Sequence, residues 1–481
     1  MATNTTLNAS NLAALGAERL AELLIELSQG DAGARRRLRM ALAAAHGPAD
    51  LAQAVRKRLA TIARAQTFVD RSAARSLAAE LDSLRQAIVE TVARVDPAAA
   101  LDLLWRLIDL AEPSLARCDD SDGAVIGVFH AACEQLGDLA EKARPDAERL
   151  ADRVFSALVG NGYGQVDSLI VGIAPALGPK GLSHLKRRIV ALAETPVRRP
   201  AEPERVKIGW SLSGPIYADE IEAHARRSTI RQALQDIADI EGDADGFIAQ
   251  YDAGTRKVPR IAAEIARRLL AAGRAEDGLA VIDAAEHRPA GDWDEPDFAW
   301  ADARIDLLEA LGRGEDAQRV RWDCFARALS AAHLRAYLKK LRNFDDVAAE
   351  HKALDHAQGF HDRLAALSFL VAWPAADRAA RLVLEHAADW DGNRYDILTT
   401  AANALAARHP LAAALALRAI IDFTLAKARA SRYQHAARHL RDCAGLSLAI
   451  TDYHGHEPHG VYEARLRRDH GRKAAFWSKL A

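Results

Sequence analysis

The sequence predicts an all-α fold, a solenoid of stacked helical hairpins built in one run or in two halves. Alanine and leucine dominate, and aromatic residues make up only 6% of the chain. Both dominant residues lose little rotamer freedom in a helix, and no convincing alternating strand appears. Apolar residues recur at three- and four-residue spacing over most of the length, as they do along helices with one buried stripe. A turn motif also repeats in the second half. At 481 residues the chain exceeds what one compact core holds, whereas a repeat array grows in one dimension. With 50% hydrophobic and 27% charged residues a core can form, which argues against disorder.

The first helix places Asn11, Leu12, Leu15, Leu20, Leu23, Leu24 and Leu27 on one face and ends at Gly30. A basic stretch follows, Arg35-Arg36-Arg37, Arg39, Arg56-Lys57-Arg58 and Arg64, threaded by Leu38, Leu42, Leu51, Val55, Leu59 and Ile62 at helical spacing. The next helix carries Leu77, Leu81, Leu84, Ile88 and Val92. Another starts after Asp96-Pro97, with the proline in the first turn, and holds Leu101, Leu104, Trp105 and Ile108. Pro113 and Gly123 break the pattern, which resumes over 125–141 and 146–159. Gly160, Gly162 and Gly164 make a flexible turn, and a GPKG turn at 178–181 joins a helical hairpin. Prolines 196, 200, 203 and 215 stop any helix over 195–218. The expected domains are therefore 1–195, a Pro-rich linker 196–218, and a repeat domain 219–481.

In the second half Gly273-Arg274-Ala275-Glu276-Asp277-Gly278 recurs 39 residues later as Gly312-Arg313-Gly314-Glu315-Asp316-Ala317. Each copy ends an apolar helix at glycine and opens the next with an acidic pair that complements the helix dipole. Looser turns recur at Trp373-Pro374 and His409-Pro410. A period of roughly 34–47 with helix–turn–helix units is a solenoid signature. These turns resemble tetratricopeptide repeats, so the expected architecture is tetratricopeptide/HEAT-like. The chain also resembles an uncharacterised bacterial all-helical family, a domain of unknown function. That likeness is carried by Arg117-Cys118-Asp119-Asp120-Ser121-Asp122-Gly123, Ala233-Leu234-Gln235-Asp236-Ile237-Ala238, Leu338-Lys339-Lys340-Leu341 and Tyr433-x-x-Ala436-Ala437-x-x-Leu440. It implies a fold and no activity. The C-terminal third is similar to the helical region beside SWIM zinc fingers, but the finger itself is missing, so neither its zinc nor its nucleic-acid role is implied.

His435, His439 and Cys443 at i, i+4, i+8 share one helix face. Imidazole and thiolate suit zinc, and a His-bearing surface beside a core cysteine is the alternative. The cysteines Cys118, Cys133, Cys324 and Cys443 form no C-x-x-C pair and fit a reducing compartment. Asp119, Asp120 and Asp122 fail as an EF-hand, because the twelfth position is His130. Capping of the next helix by Ser121 or Asp122, or a hydrogen-bond network within the loop, is expected instead. The Gly160–Gly164 cluster lacks the strand and glycine spacing of a dinucleotide loop. There is no G-x-x-x-x-G-K-(S/T) and no G-x-S-x-G, so no catalytic or cofactor residues are expected. Trp210 is expected to pack against a helix end. Trp293, Trp300 and Trp322, with Phe298 and Phe325, are candidates either for packing between repeats or for a groove that anchors a partner.

Net charge is −2, against a globally basic nucleic-acid binder, but charge is uneven. Residues 31–75 hold ten Arg or Lys against three acids, 236–255 hold six acids and no base, and 283–316 hold eleven acids against three Arg. Residues 427–481 hold eleven bases against five acids. Such blocks either are solvated helix faces or steer a charged partner. The expected function is a protein–protein interaction scaffold. The alternatives are nucleic-acid association through the basic termini and, behind it, metal binding at the C-terminal histidines. No signal peptide and no apolar run of membrane length are seen, so a cytoplasmic location is expected.

Overall fold

The computed structural model describes residues 7–30, 32–197, 199–201, 204–212, 214–285, 298–342 and 344–480. The chain forms two compact units, Met1–Asp252 and Ala253–Ala481. Both are built almost wholly of helices packed on their sequence neighbours, an all-α helical-repeat solenoid architecture.

The first unit opens with α1 (Ala9–Ala13), α2 (Ala17–Leu27), α3 (Ala32–His46), α4 (Pro48–Ala63) and α5 (Arg71–Gln86). A π-helical turn, Ala87–Val92, carries α5 into α6 (Ala93–Val95). Next come α7 (Pro97–Ile108), α8 (Ala111–Leu115), α9 (Ala124–Ala143), α10 (Ala147–Val159), α11 (Leu169–Glu194), α12 (Ala218–Glu241) and α13 (Ala244–Ile248). The stripes read from spacing are the buried ones: Leu51, Val55, Leu59 and Ile62 of α4 meet Leu81, Leu84, Ile88 and Val92, and the apolar face of α7 covers both. Asp96 caps α7 by accepting from Ala99 N–H at 2.9 Å, with Pro97 in the first turn. The expected first helix is two, because Gly16 adopts φ +81 between α1 and α2. Leu24 and Leu27, assigned to its apolar face, are largely exposed.

Two further expectations change. Residues 195–218 contain a two-stranded antiparallel hairpin, β1 (Lys207–Ser211) and β2 (Gly214–Tyr217). It lies inside the first unit: α12 packs back on α11, Arg226 donates to the Leu192 and Thr195 carbonyls, and Lys186 pairs with Glu241 at 2.6 Å. The division between units falls after Asp252. Trp210 does not cover a helix end; it is 70% exposed on β1, with Lys207 over its ring.

The second unit holds α14 (Pro259–Ala271), α15 (Ala275–Ala284), α16 (Ala299–Ala310), α17 (Gly314–Ala328), α18 (Ala331–Lys339), α19 (Asp345–Gln358) and α20 (Arg363–Ala372). It continues with α21 (Ala376–Glu385), α22 (Tyr395–Leu405), α23 (Pro410–Ala426), α24 (Tyr433–Ser447), α25 (His459–His470) and α26 (Ala474–Trp477). From α14 to α24 each helix packs on the next, and α14 on α16, α17 on α19, α19 on α21, α20 on α22 and α21 on α23 add the second neighbour. That is the contact pattern of a stacked-hairpin array.

The repeated turn has one closure. Gly273 and Gly312 sit at φ +75 and +72, in the left-handed region that suits glycine. Arg274 N–H reaches the Leu269 carbonyl and Arg313 N–H the Leu308 carbonyl, both at 2.8 Å, as in a Schellman cap. Each arginine then bonds the aspartate three residues on, Asp277 or Asp316, at 2.7 Å. A degenerate third copy at Pro374-Ala375 keeps the backbone bond, Ala375 N–H to Leu370 O at 2.9 Å. Five residues after each left-handed position stands a small buried residue, Gly278, Ala317 or Ala379, where the new helix meets its neighbours. Farther along, α25 docks through buried Tyr462, whose hydroxyl donates to Asp422 at 3.1 Å, and Arg418 donates to the Glu457 carbonyl at 2.6 Å.

Helices α9 and α11 cross so closely that a Cβ on Gly137 would lie 2.1 Å from the Gly172 carbonyl oxygen, whereas one on Gly172 meets nothing within 4 Å. Gly137→Ala is expected to lower unfolding free energy by about 1–3 kcal/mol. Gly172→Ala should be neutral or stabilise by up to about 1 kcal/mol through helix propensity. Chemical denaturation of the two variants checks the contrast.

Candidate functional site

The basic run of the N-terminal half folds into a groove of about 920 Å³ between α3, α4 and α5. Each helix supplies one stripe at i, i+3, i+4, i+7: Gly33, Arg36, Arg37 and Met40 from α3, then Ala54, Lys57, Arg58 and Thr61 from α4. From α5 come Ser76, Ala79, Glu80 and Ser83, beside the stripe that fills the core. Among the described lining residues, Arg39 and Arg75 complete six cationic side chains against one carboxylate. Glu80 organises two of them. Arg58 clasps it with two bonds, at 2.5 and 3.0 Å, and Arg36 Nε stands 3.0 Å away. A carboxylate shared this way ties α3 and α4 to α5 and fixes guanidiniums that would otherwise repel. Arg75 bonds Asp122 at 2.9 Å. Arg37, Arg39 and Lys57 are exposed and have no ion pair among the described residues. The charge block showed the cations. Glu80 was missed, and its signal was the small, polar second stripe of α5 with a single acid.

The other sequence candidates separate. His435 and His439 line a second cavity, of about 490 Å³, between α22, α23 and α24. Cys443 does not join them: it is fully buried, its Sγ lies 3.6 Å from the Ala414 carbonyl, and burial pushes its thiol up to about 12. Among the described residues no group of three His, Cys, Asp or Glu is arranged to hold a metal. Burial likewise holds the thiols of Cys133 and Cys324 up at about 11.

Trp300 is half-buried against the α14–α16 core and donates to the Ile282 carbonyl at 3.0 Å. Trp322 packs between Phe325, Tyr337 and His356. Trp293 lies outside the described residues. The helix after the aspartate loop is capped by Asp120, which accepts from Val125 and Ile126 N–H at 2.9 and 2.8 Å. Neither residue expected in that role fills it. Asp122 is drawn to Arg71 and Arg75, and Ser121 bonds Asp119. The glycine turn at 160–164, expected to be flexible, is tied by buried Gln165, which bonds Gly160 O and Tyr163 N–H, and by an Asn161–Asp167 bond.

Stacked helical hairpins make this a helical-repeat protein, with a concave basic surface in the first unit. The chain belongs to a family of unknown function (DUF6880), whose model matches residues 2–479. A search of curated proteins finds no match. Among solved structures the chain is similar to a "circular tandem repeat protein with novel repeat topology and enhanced subunit contact surfaces". The two are 13% identical over 95% of this chain and 92% of that one, and the TM-score of 0.19 carries no argument about this protein. No described helix is long and apolar enough to cross a membrane.

Two imidazoles of the second unit are harder to protonate than a free one. Burial, helped by Arg438 and opposed by Asp442, keeps His439 below its ordinary value. Burial and Arg418 do the same for His459. Between the lowered folded value and the unfolded value of about 6.5 the unfolded chain binds more protons, so stability falls as pH falls below about 6.5. Thermal denaturation from about pH 7.5 to pH 5 should show this loss, and His459→Gln should make the slope shallower.

Proposed function

We propose that this protein is an interaction scaffold that takes an acidic segment of a partner protein into the α3–α5 groove. The reading rests on one observation: Arg37, Arg39 and Lys57, three cations with no ion pair among the described residues, stand over a concave surface where Glu80, the one carboxylate among the described lining residues, is already engaged. Such a surface raises the local concentration of anionic partners and speeds their encounter. A peptide suits it better than a nucleic acid. Met40 adds apolar contact, while among the described residues no aromatic ring lines the groove to stack a base.

The test is fluorescence anisotropy of the full chain with a labelled amphipathic Glu/Leu peptide and, separately, labelled oligodeoxythymidine. Peptide affinity on the order of micromolar is expected at low salt, falling with added salt. The double variant Arg37→Glu/Lys57→Glu should weaken it roughly tenfold or more. Both positions are exposed and make no ion pair among the described residues, so the fold should hold. Equal or tighter binding of the oligonucleotide, or peptide binding indifferent to the double reversal, contradicts the reading.

A further inference from the structure

We propose that the cavity between α22, α23 and α24 binds the phosphate group of a small hydroxylated ligand. At about 490 Å³ it has the size of a small-molecule site and is far larger than a bare ion needs.

Its lining is chosen for donors. Arg432 and Arg438 bring two guanidiniums, His435 and His439 two imidazoles, and Ser431 and Thr399 hydroxyls. The Arg432 guanidinium is held in place, with Nη1 on Asn393 Oδ1 at 3.1 Å and its plane 4.8 Å from the Tyr395 ring, and it keeps donors to spare. Arg438 is exposed and has no ion pair among the described residues. His439 is 5% exposed, and its buried Nδ1 stands 3.6 Å from Asp442, beyond hydrogen-bond reach. The only carboxylate among the described lining residues, Asp396, is 3.5 Å from Arg394 outside the cavity. The balance is therefore positive, and two guanidiniums facing the same space as the imidazole pair oppose a metal cation there. Fixed forks of N–H donors with nearby hydroxyls match phosphate oxygens. The Tyr395 hydroxyl offers a partner to the rest of a sugar-like ligand, and the Thr400 hydroxyl, which donates to the Asp396 carbonyl at 2.8 Å, can still accept.

Isothermal titration of the full chain in EDTA, with ribose 5-phosphate, inorganic phosphate and ribose as probes, tests this. Saturable one-to-one binding of ribose 5-phosphate with Kd on the order of 1 mM or tighter is expected, with weaker binding of phosphate and none of ribose. Arg438→Gln should weaken it on the order of tenfold, Arg438→Lys should weaken it less, and Arg408→Gln, a surface arginine outside the cavity, should leave it unchanged. Three results would overturn the proposal: no saturation by either phosphate compound, equal affinity in Arg438→Gln, or, in EDTA-free buffer, one zinc per chain that is lost in His435→Gln. The site lies in the second unit, so neither its failure nor its success alters the peptide-binding test of the first.

Discussion

How closely neighbouring helices can approach governs the rest of this molecule. Helices of this length are marginal alone, and each gains its stability by burying an apolar stripe against the next. The backbone must therefore come close at defined points, and the sequence supplies small residues there. Gly137 sits where α9 meets the Gly172 carbonyl, and Gly392 where a Cβ would lie 2.0 Å from the Ala419 carbonyl oxygen. In the repeated hairpins the small residue comes five positions after the left-handed turn, at Gly278, Ala317 and Ala379. Turn and contact point are thus one unit: the closure reverses the chain, and the small residue lets the new helix settle on the old one.

That coupling explains what could be read from sequence. Burial in a helix follows i, i+3, i+4 spacing, so the leucines of α4, α5 and α7 announce the core of the first unit. The Gly-Arg-x-Glu-Asp motif announces the hairpins of the second. Legibility ended where a residue's role depends on a distant partner. Asp122 looks like a cap, but Arg71 and Arg75, about fifty residues earlier, claim it and leave the role to Asp120. The β-hairpin escaped notice because Ile208, Trp210 and Leu212 are all exposed, and an unburied hairpin imposes no pattern of buried and exposed residues. The prolines of 196–218 do stop a helix, yet a stopped helix is not a domain boundary when the next one packs back on the last.

The candidate groove has the same mixture. Its cations are plain in composition. Its concavity is not, because it arises only when three stripes from three helices face one another. Glu80 makes the arrangement possible: by pairing with Arg58 and Arg36 it lowers repulsion at the floor, while Arg37, Arg39 and Lys57 stay exposed at the surface. The cavity of the second unit follows a different logic. It is smaller, rich in hydroxyls, and backed by a buried imidazole, so it suits a compact ligand rather than an extended one. The C-terminal histidines noticed in the sequence belong to it, while Cys443, on the same stripe one turn on, is taken up by the core against α23.

The most direct measurement is hydrogen–deuterium exchange of the full chain with and without a saturating acidic peptide. If the α3–α5 groove is the interaction surface, exchange slows in segments covering 33–61 and 75–84 and is unchanged across 253–480. Protection confined to the second unit or to the 207–217 hairpin, with 33–84 unaffected, would contradict that assignment.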